Sequence, residues 1–265
     1  MKIAVLSTVS TCGKSTFIEV FGGVYSRSQR REVVAFSTGN ALDIINMVTN
    51  LTKTAELDNP YIVKSMVDNA SNEDADTLRN YGIQAGDEHV YIFDILNTTM
   101  EQADREEFLL SAISKVPADM TLIEICGDPN SDLNKQVLRL CDCSIILTDV
   151  SIKGCMYLED IFKKMPRCTA LANRALVMSR YNPNVASDKK ISSVINMKQT
   201  DIYKFPYNPV IGKLGFDGEL DRVVYDIIQG DHNVSDFRMP MQMLMEFVYD
   251  TPTRKIIRSI DRWYK

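Results

Sequence analysis

The sequence predicts an α/β fold, a doubly wound and mostly parallel sheet with helices on both faces. Short runs of apolar, often β-branched residues alternate along the chain with segments of helical periodicity. The runs are continuously apolar rather than alternating, which is typical of parallel strands buried on both faces. With 265 residues and 45% hydrophobic composition, the chain is long enough to bury the core of one large domain.

Seven segments of the chain have the composition of buried strands. They are Lys2–Ser7, Glu32–Ser37, His89–Leu96, Met120–Cys126, Cys143–Val150, Arg174–Tyr181 and Asp201–Tyr207. Helices are predicted to begin near Ser15 and Ala41, and to cover residues 100–115, 130–141 and 154–165. The polar segment 50–84 is also predicted to be helical. Ligands of such sheets bind at the carboxyl ends of the strands, so we expect a site in the loops after Ser7, Cys126 and Tyr207.

Composition and charge exclude several classes of protein. The formal net charge of −5 is against a general nucleic-acid binder. No run of about 20 apolar residues is present, so no spanning helix is predicted, and the first apolar run is too short for a signal peptide. The cysteines lack zinc-type spacing and lie mostly in apolar runs, which predicts free thiols in a reducing, cytoplasmic setting. The six cysteines are Cys12, Cys126, Cys141, Cys143, Cys155 and Cys168.

The first strand leads into half of a phosphate-binding loop. Gly13, Lys14 and Ser15 supply the second part of that motif, whereas Thr8 stands where its first glycine would be. In such loops the backbone N–H groups at a helix N-terminus surround a phosphate, the lysine reaches the β- and γ-phosphates, and the hydroxyl ligates Mg²⁺. The loop therefore predicts a nucleotide site. The alternative is a relic that kept the fold and lost the ligand.

A second motif lies at the end of the strand that contains Glu124. The segment Glu124-Ile125-Cys126-Gly127 has the form of a nucleotide-state switch in which an acidic residue precedes a glycine by three positions. The acidic residue would orient a water on Mg²⁺ and the glycine N–H would contact the γ-phosphate. The alternative is a helix-entry turn in which Asp128 caps the next helix.

With these motifs, the chain to about Gly230 resembles the deviant-Walker-A P-loop ATPases, namely ParA, MinD and the nitrogenase iron protein. Residues 9–16, read as Val-Ser-Thr-Cys-Gly-Lys-Ser-Thr, align with the family pattern K-G-G-x-G-K-T-T, and "LIEICGDP", "ALVMSRYNP" and "FPYNPVIGKLGFDGEL" are similar to later family segments. The resemblance implies a homodimer that binds ATP and Mg²⁺ and works with a protein partner to position a plasmid, a pilus, or secretion or division machinery.

The resemblance also implies roles for individual residues. It assigns catalysis to Lys14 and Glu124, and Mg²⁺ to Ser15 and Glu124. The implied nucleotide contacts are Ser10, Thr11, Cys12, Gly13, Lys14, Ser15, Thr16, Gly127, Ser179, Arg180 and Pro206.

Several positions depart from the family pattern. The signature lysine is replaced by Val9, the base-contacting asparagine by Ser179, and the charged first switch by the uncharged residues 37–40. Because charge stabilisation supplies most of the catalysis in phosphoryl transfer, we expect weak, partner-stimulated or absent ATP hydrolysis. The alternatives are a non-hydrolysing pseudo-ATPase that acts as a scaffold and, with no obvious substrate residues to support it, a small-molecule ligase or kinase of the dethiobiotin synthetase type.

The C-terminal segment is predicted to be a helical extension. We place the main domain in residues 1–235 and the extension, packed on it or used for interaction, in residues 236–265. Ile256, Ile257, Ile260 and Trp263 share one helical face, and basic residues occupy most of the others. Three interpretations remain open for this helix: packing on its own domain, contact with an anionic membrane surface, and contact with DNA phosphates.

Overall fold

A single eight-stranded sheet forms the centre of the described chain, in the order β3-β4-β2-β5-β1-β6-β7-β8. The computed structural model describes residues 1–9, 12–39, 83–84, 90–92, 101–151, 153–154, 156–158, 168–184, 188–195 and 202–263. The strands are β1 Lys2–Ser7, β2 Val33–Ser37, β3 Ile83–Gln84, β4 Val90–Ile92, β5 Met120–Glu124, β6 Cys143–Thr148, β7 Arg174–Tyr181 and β8 Ile202–Pro206. Only β3 pairs antiparallel, at one edge, and the predicted mostly parallel α/β fold is confirmed.

Helices cover both faces of the sheet. They are α1 Lys14–Gln29, α2 Gln102–Lys115, α3 Asp132–Leu140, α4 Thr169–Ala172, α5 Asp188–Ile195, α6 Pro209–Phe216, α7 Leu220–Gln229 and α8 Ser235–Trp263. In β1, Ile3 and Val5 belong to the hydrophobic cluster under α1, α7 and α8. Ala4 and Leu6 belong to the opposite cluster under α2 and α3. Successive residues thus enter different cores, which is why the buried residues 3–6 are all apolar.

One edge of the sheet differs from the sequence prediction. Ile83 and Gln84 form the short antiparallel strand β3, which pairs Ile83 with Ile92, although a helix was predicted through residue 84. The prediction was wrong at these two residues because polar composition carries no information on a distant pairing partner. Residues 50–82, and the helix expected from Ala41, lie outside the described residues. Of the strand predicted at 89–96, the structure describes Val90–Ile92.

The final helix, α8, is continuous over 29 residues. Its first half packs on the domain, since Met241, Leu244, Phe247 and Val248 are buried in the cluster that also contains residues of β8 and α7. The side chains of residues 250–263 are outside the description, so the amphipathic face expected near Ile256 stays a prediction. Within the described ranges, no helix combines the length and the apolarity that crossing a membrane requires, and α8, although long, is not apolar enough.

Candidate functional site

The loop between β1 and α1 ends on a left-handed residue. Gly13 caps α1 with φ 74° and ψ 38°, a conformation that glycine adopts without the steric cost of a side chain, and its carbonyl accepts the first helical bond from Phe17 N at 2.9 Å. Thr8 replaces the missing glycine at a buried position, where its Oγ1 donates to Thr148 Oγ1 at 2.7 Å. Residues 10–11, including the predicted contacts Ser10 and Thr11, lie outside the described residues.

Lys14, Ser15 and Glu124 meet at the carboxyl edge of the sheet. Ser15 Oγ donates to Glu124 Oε1 at 2.9 Å, and Lys14 Nζ lies 3.2 Å from the same oxygen. The ammonium also donates to the carbonyl oxygen of Ile125 at 2.9 Å. Glu124 is only 3% exposed, and its Oε1 atom is satisfied by the Ser15 hydroxyl and the Lys14 ammonium. The structure therefore holds the loop lysine against the end of β5.

The segment after β5 is fixed by a side chain from α3. Gly127 has φ 70°, and Asn134 Nδ2 donates to the carbonyl oxygens of Cys126 at 2.9 Å and Asp128 at 2.8 Å. One interpretation of the sequence had Asp128 capping α3, and this was wrong. The cap is Ser131, whose side chain accepts from Asn134 N, while Asp128 Oδ1 accepts from Asn130 N within its own turn.

The end of β2 contacts the same segment through uncharged groups. Thr38 N donates to Glu124 O at 2.9 Å, and Thr38 Oγ1 accepts from Cys126 N at 2.9 Å. Ser37 Oγ lies 3.4 Å from Cys126 Sγ. The segments after β2 and β5, which the sequence likened to the two switches of the family, are thus joined directly, and residues 37–39 supply no carboxylate.

Two cavities adjoin the loop. The larger, of about 940 Å³, is lined among others by Lys14, Ser15, Glu124 and Gly127. The smaller, of about 190 Å³, is lined by Cys12, Ser179 and Pro206 together with apolar side chains. Both are lined by Gly13, Thr16, Arg180, Ile211 and Gly212. Every predicted contact residue that the structure describes therefore lines one cavity or both.

The wall formed by α6 was not among the residues singled out from the sequence. Ile211, Gly212, Gly215 and Phe216 line the larger cavity, and Phe216 is 92% exposed at its edge. The available signal was the start of this helix, since Asn208 caps it by accepting from Val210 N at 2.9 Å and Pro209 follows the cap. That signal predicts a helix but not which cavity it faces.

Burial sets the protonation state of the cysteine in the loop. Desolvation, the largest influence, raises the pKa of the Cys12 thiol, and Arg180 is among the groups that lower it. The net direction is upward, so Cys12 is a neutral thiol at neutral pH.

Known proteins resemble this chain in structure rather than in sequence. No protein-family model matches the sequence, and no curated protein matches it. The ParA family ATPase from Chlorobium tepidum TLS superposes with a TM-score of 0.68 at 14% identity, over 90% of this chain and 98% of that one.

Two further structures carry ligands. The septum site-determining protein MinD of Pyrococcus horikoshii OT3, complexed with Mg-ADP, gives a TM-score of 0.60 at 15% identity over 93% of this chain and 95% of its own. A putative plasmid partition protein of Borrelia burgdorferi B31, bound to AMPPNP, superposes with a TM-score of 0.52 at 13% identity, over 86% of this chain and 96% of its own. With the sheet order and the β1–α1 loop, these likenesses show that the chain has the ParA/MinD-like fold of P-loop ATPases.

Proposed function

We propose that this protein binds ATP with Mg²⁺ at the β1–α1 loop and acts as a nucleotide-dependent switch of the ParA/MinD type. The observation that supports it best is the convergence of Lys14, Ser15 and Glu124 on one side of a cavity of about 940 Å³. Ligand pockets in proteins commonly measure about 300–1,000 Å³, so a nucleoside triphosphate fits this volume.

The residues of the loop fit a phosphate group. Gly13 in its left-handed conformation precedes the first turn of α1, whose N–H groups have no helical acceptors and whose dipole favours an anion. A Cβ built on Gly13 would meet no atom within 4 Å, so the glycine is required by its backbone angles and not by crowding. The Lys14 ammonium would leave Ile125 O and Glu124 to reach the phosphates.

The donor set at Ser15 and Glu124 also fits a magnesium ion. Ser15 and Glu124 both line the cavity, and the Ser15 hydroxyl donates a hydrogen bond to Oε1 of Glu124. No group of three or more His, Cys, Asp or Glu residues able to hold a metal occurs in the described ranges, which suits Mg²⁺, since it is usually bound by one or two protein oxygens plus phosphates and water. When bound, the ion would neutralise charge on the phosphate oxygens.

The smaller cavity is suited to the base. Its walls include the rings of Phe17 and Phe205, the side chain of Met241 and the predicted nucleotide contacts Ser179 and Pro206. An apolar slot next to a polar phosphate site is the usual division of a nucleotide pocket.

Hydrolysis is proposed to be slow or dependent on a partner. At the first switch, residues 37–39 offer no charged group, and Thr38 is hydrogen-bonded to the Cys126 N–H. Val9, in the place of the signature lysine, packs against the hydrophobic core. Removing one group that stabilises transition-state charge typically costs about 100- to 1,000-fold in rate. These two features also favour the alternative, a non-hydrolysing pseudo-ATPase that serves as a scaffold.

The proposed cellular role is the positioning of cargo in the cytoplasm by a homodimer with a protein partner. It is supported by the names of proteins with this fold, which include a MinC:MinD cell division complex of Aquifex aeolicus and plasmid partition proteins. Contact of α8 with DNA or a membrane surface belongs to the same proposal and rests on its basic C-terminal sequence.

Calorimetry with ATP and ADP, each with and without Mg²⁺, tests nucleotide binding. We expect saturable, Mg-dependent heats for the unaltered protein and a loss of affinity of about 10- to 100-fold in Lys14→Ala, because a hydrogen bond to a charged group is removed. Lys135→Ala is the matched control, since Lys135 pairs with Asp132 on α3, away from the cavity. Negligible heats for the unaltered protein and both variants would leave only the scaffold function. Release of phosphate from ATP by the unaltered protein would exclude the non-hydrolysing scaffold.

A further inference from the structure

The larger cavity has a particular balance of charge. Among its lining residues that the structure describes, three belong to the formally charged types: Lys14, Glu124 and Arg180. Lys14 Nζ is 3.2 Å from Glu124 Oε1, so these two charges compensate each other. The net positive charge that faces a ligand therefore comes from Arg180. A triphosphate brings several negative charges, and one lysine shared with a carboxylate is a weak counterpart for them.

The backbone places Arg180 with unusual geometry. Arg180 has φ 53°, in the left-handed region that non-glycine residues seldom adopt. It lies where the pairing of β7 with β8 is irregular, between Met178 and Tyr181, and bulges of this kind redirect side chains next to active sites. Backbone strain of this sort persists where surrounding structure holds it, often at ligand sites.

Arg180 also stands at the junction of the two cavities. It lines both, it is exposed, and it forms no ion pair with another described residue. Its charge acts on the β1–α1 loop, because it counteracts part of the rise that burial causes in the pKa of Cys12. An arginine fork at this point can donate several hydrogen bonds to phosphate oxygens.

We propose that Arg180 is the second phosphate-binding cation of this site and that it gives the site its selectivity for polyphosphate ligands. The inference rests on the proposed nucleotide function and assigns the general nucleotide contact that the family resemblance implies for Arg180 to the phosphates rather than to the base. Lys14 must first leave Glu124, whereas Arg180 has no carboxylate partner among the described residues. Polyphosphate is thus attracted by Arg180 before Lys14 is released.

The test separates the phosphates from the base by using inorganic tripolyphosphate beside ATP. Both compete with a fluorescent ATP analogue for the unaltered protein, Arg180→Gln and Arg180→Lys. All three keep a Cβ at position 180, so backbone strain is held constant. Lys204→Gln is the control on the adjacent strand, because Lys204 lies over the ring of Tyr181 at 5.5 Å and lines neither described cavity.

We expect Arg180→Gln to weaken the binding of ATP and of tripolyphosphate by a similar factor, about tenfold or more. This loss of affinity should shrink as salt is added. Arg180→Lys should retain most of the affinity, and Lys204→Gln should resemble the unaltered protein. Thermal melting of each variant without ligand reports on folding.

Other outcomes overturn the inference. If Arg180→Gln lowers the affinity for ATP but not for tripolyphosphate, Arg180 contacts the base. If Arg180→Gln and Lys204→Gln lower the affinity equally, the cause is only a general effect of net charge. Failure of tripolyphosphate to compete at all would also refute it. If Lys14→Ala abolishes ATP binding while Arg180→Gln does not change it, this inference fails and the proposed function stands. If the unaltered protein binds no ATP, the proposed function fails.

Discussion

The Nζ atom of Lys14 lies 3.2 Å from Oε1 of Glu124, the same oxygen that accepts the hydroxyl hydrogen of Ser15 at 2.9 Å. The lysine side chain is 13% exposed and that of the glutamate 4%, so the pair is screened little by solvent. An anionic ligand must therefore compete with Glu124 for the ammonium. If the cavity binds a nucleotide as we propose, the state of this ion pair would determine how readily it accepts the phosphates.

Replacing Glu124 with Gln should separate the two effects of the carboxylate. Without the negative charge, Lys14 is released and repulsion of phosphate is lost, so we expect metal-free ATP affinity to rise by about tenfold, or ~1.4 kcal/mol. The gain from Mg²⁺ should disappear, because the metal loses a ligand. Calorimetry in EDTA and in Mg²⁺ measures both changes. The exposed Glu107→Gln is the control, and a lower metal-free affinity in Glu124→Gln would contradict the argument.

A buried glutamate on α1 predicts a pH dependence of stability. Glu19 is 4% exposed and its Oε2 has no hydrogen-bond partner in the described chain. Burial, followed by the nearby Asp221, raises the pKa of Glu19 to about 9. The folded state thus holds a proton that the unfolded state releases above its pKa of 4.5. The contribution of Glu19 to stability is therefore greatest below that value and declines as pH rises toward about 9.

Glu19→Gln should remove this decline. Glutamine keeps the shape without the ionisation, so we expect a gain in unfolding free energy on the order of 2–4 kcal/mol at pH 8 and little difference near pH 4.5. Urea denaturation at the two pH values measures the gain, with the exposed Glu246→Gln as the control. A gain of the same size at both pH values would show that ionisation of Glu19 is not its source.

The packing of α1 on α7 depends on a glycine. A Cβ on Gly23 would lie 2.7 Å from Cγ2 of Val224, so Gly23→Ala should lower unfolding stability by about 1–3 kcal/mol through overpacking, despite a better helix propensity. Adding Val224→Ala should remove the clash. The double variant should then be more stable than the sum of the single effects predicts, which a double-mutant cycle by urea denaturation measures.

Gly212→Ala is the matched control for this prediction. It lies in the helix α6, and a Cβ there would meet no atom within 4 Å. We expect this change to be neutral or to stabilise by up to about 1 kcal/mol. Strictly additive effects of Gly23→Ala and Val224→Ala would refute the clash.

Asn134 should control the order of the segment after β5. It is 2% exposed, and Asn134→Ala removes both donated bonds to Cys126 O and Asp128 O. We expect a loss of about 2–3 kcal/mol and faster amide hydrogen exchange at residues 125–128, with unchanged protection in β1. Ser131→Ala, which removes the cap of the same helix, should cost about 1 kcal/mol without this local effect. Equal acceleration in both variants would mean that α3 as a whole, and not Asn134, orders the segment.

Much of the site could be predicted from residues that are neighbours in sequence. Gly13, Lys14 and Ser15 between a buried strand and a helix predict an anion site, because the geometry of that turn is local. Glu124 could be placed at the same edge because it ends a buried strand of a parallel sheet. Phe216 and the rest of the α6 wall could not, since the position of that helix depends on how β8 and α7 pack.

The sequence by itself determined the class of fold, because strands buried on both faces need apolar residues at every position and the helices between them need an apolar face. Only the tertiary structure decided that Lys14 rests on Glu124, which is 110 positions away in the chain, that Ile83 and Gln84 form an edge strand, and that Arg180 faces both cavities. These arrangements depend on strand register, on a bulge and on distances between remote segments. None of those quantities is encoded in the local run of residues that forms each element.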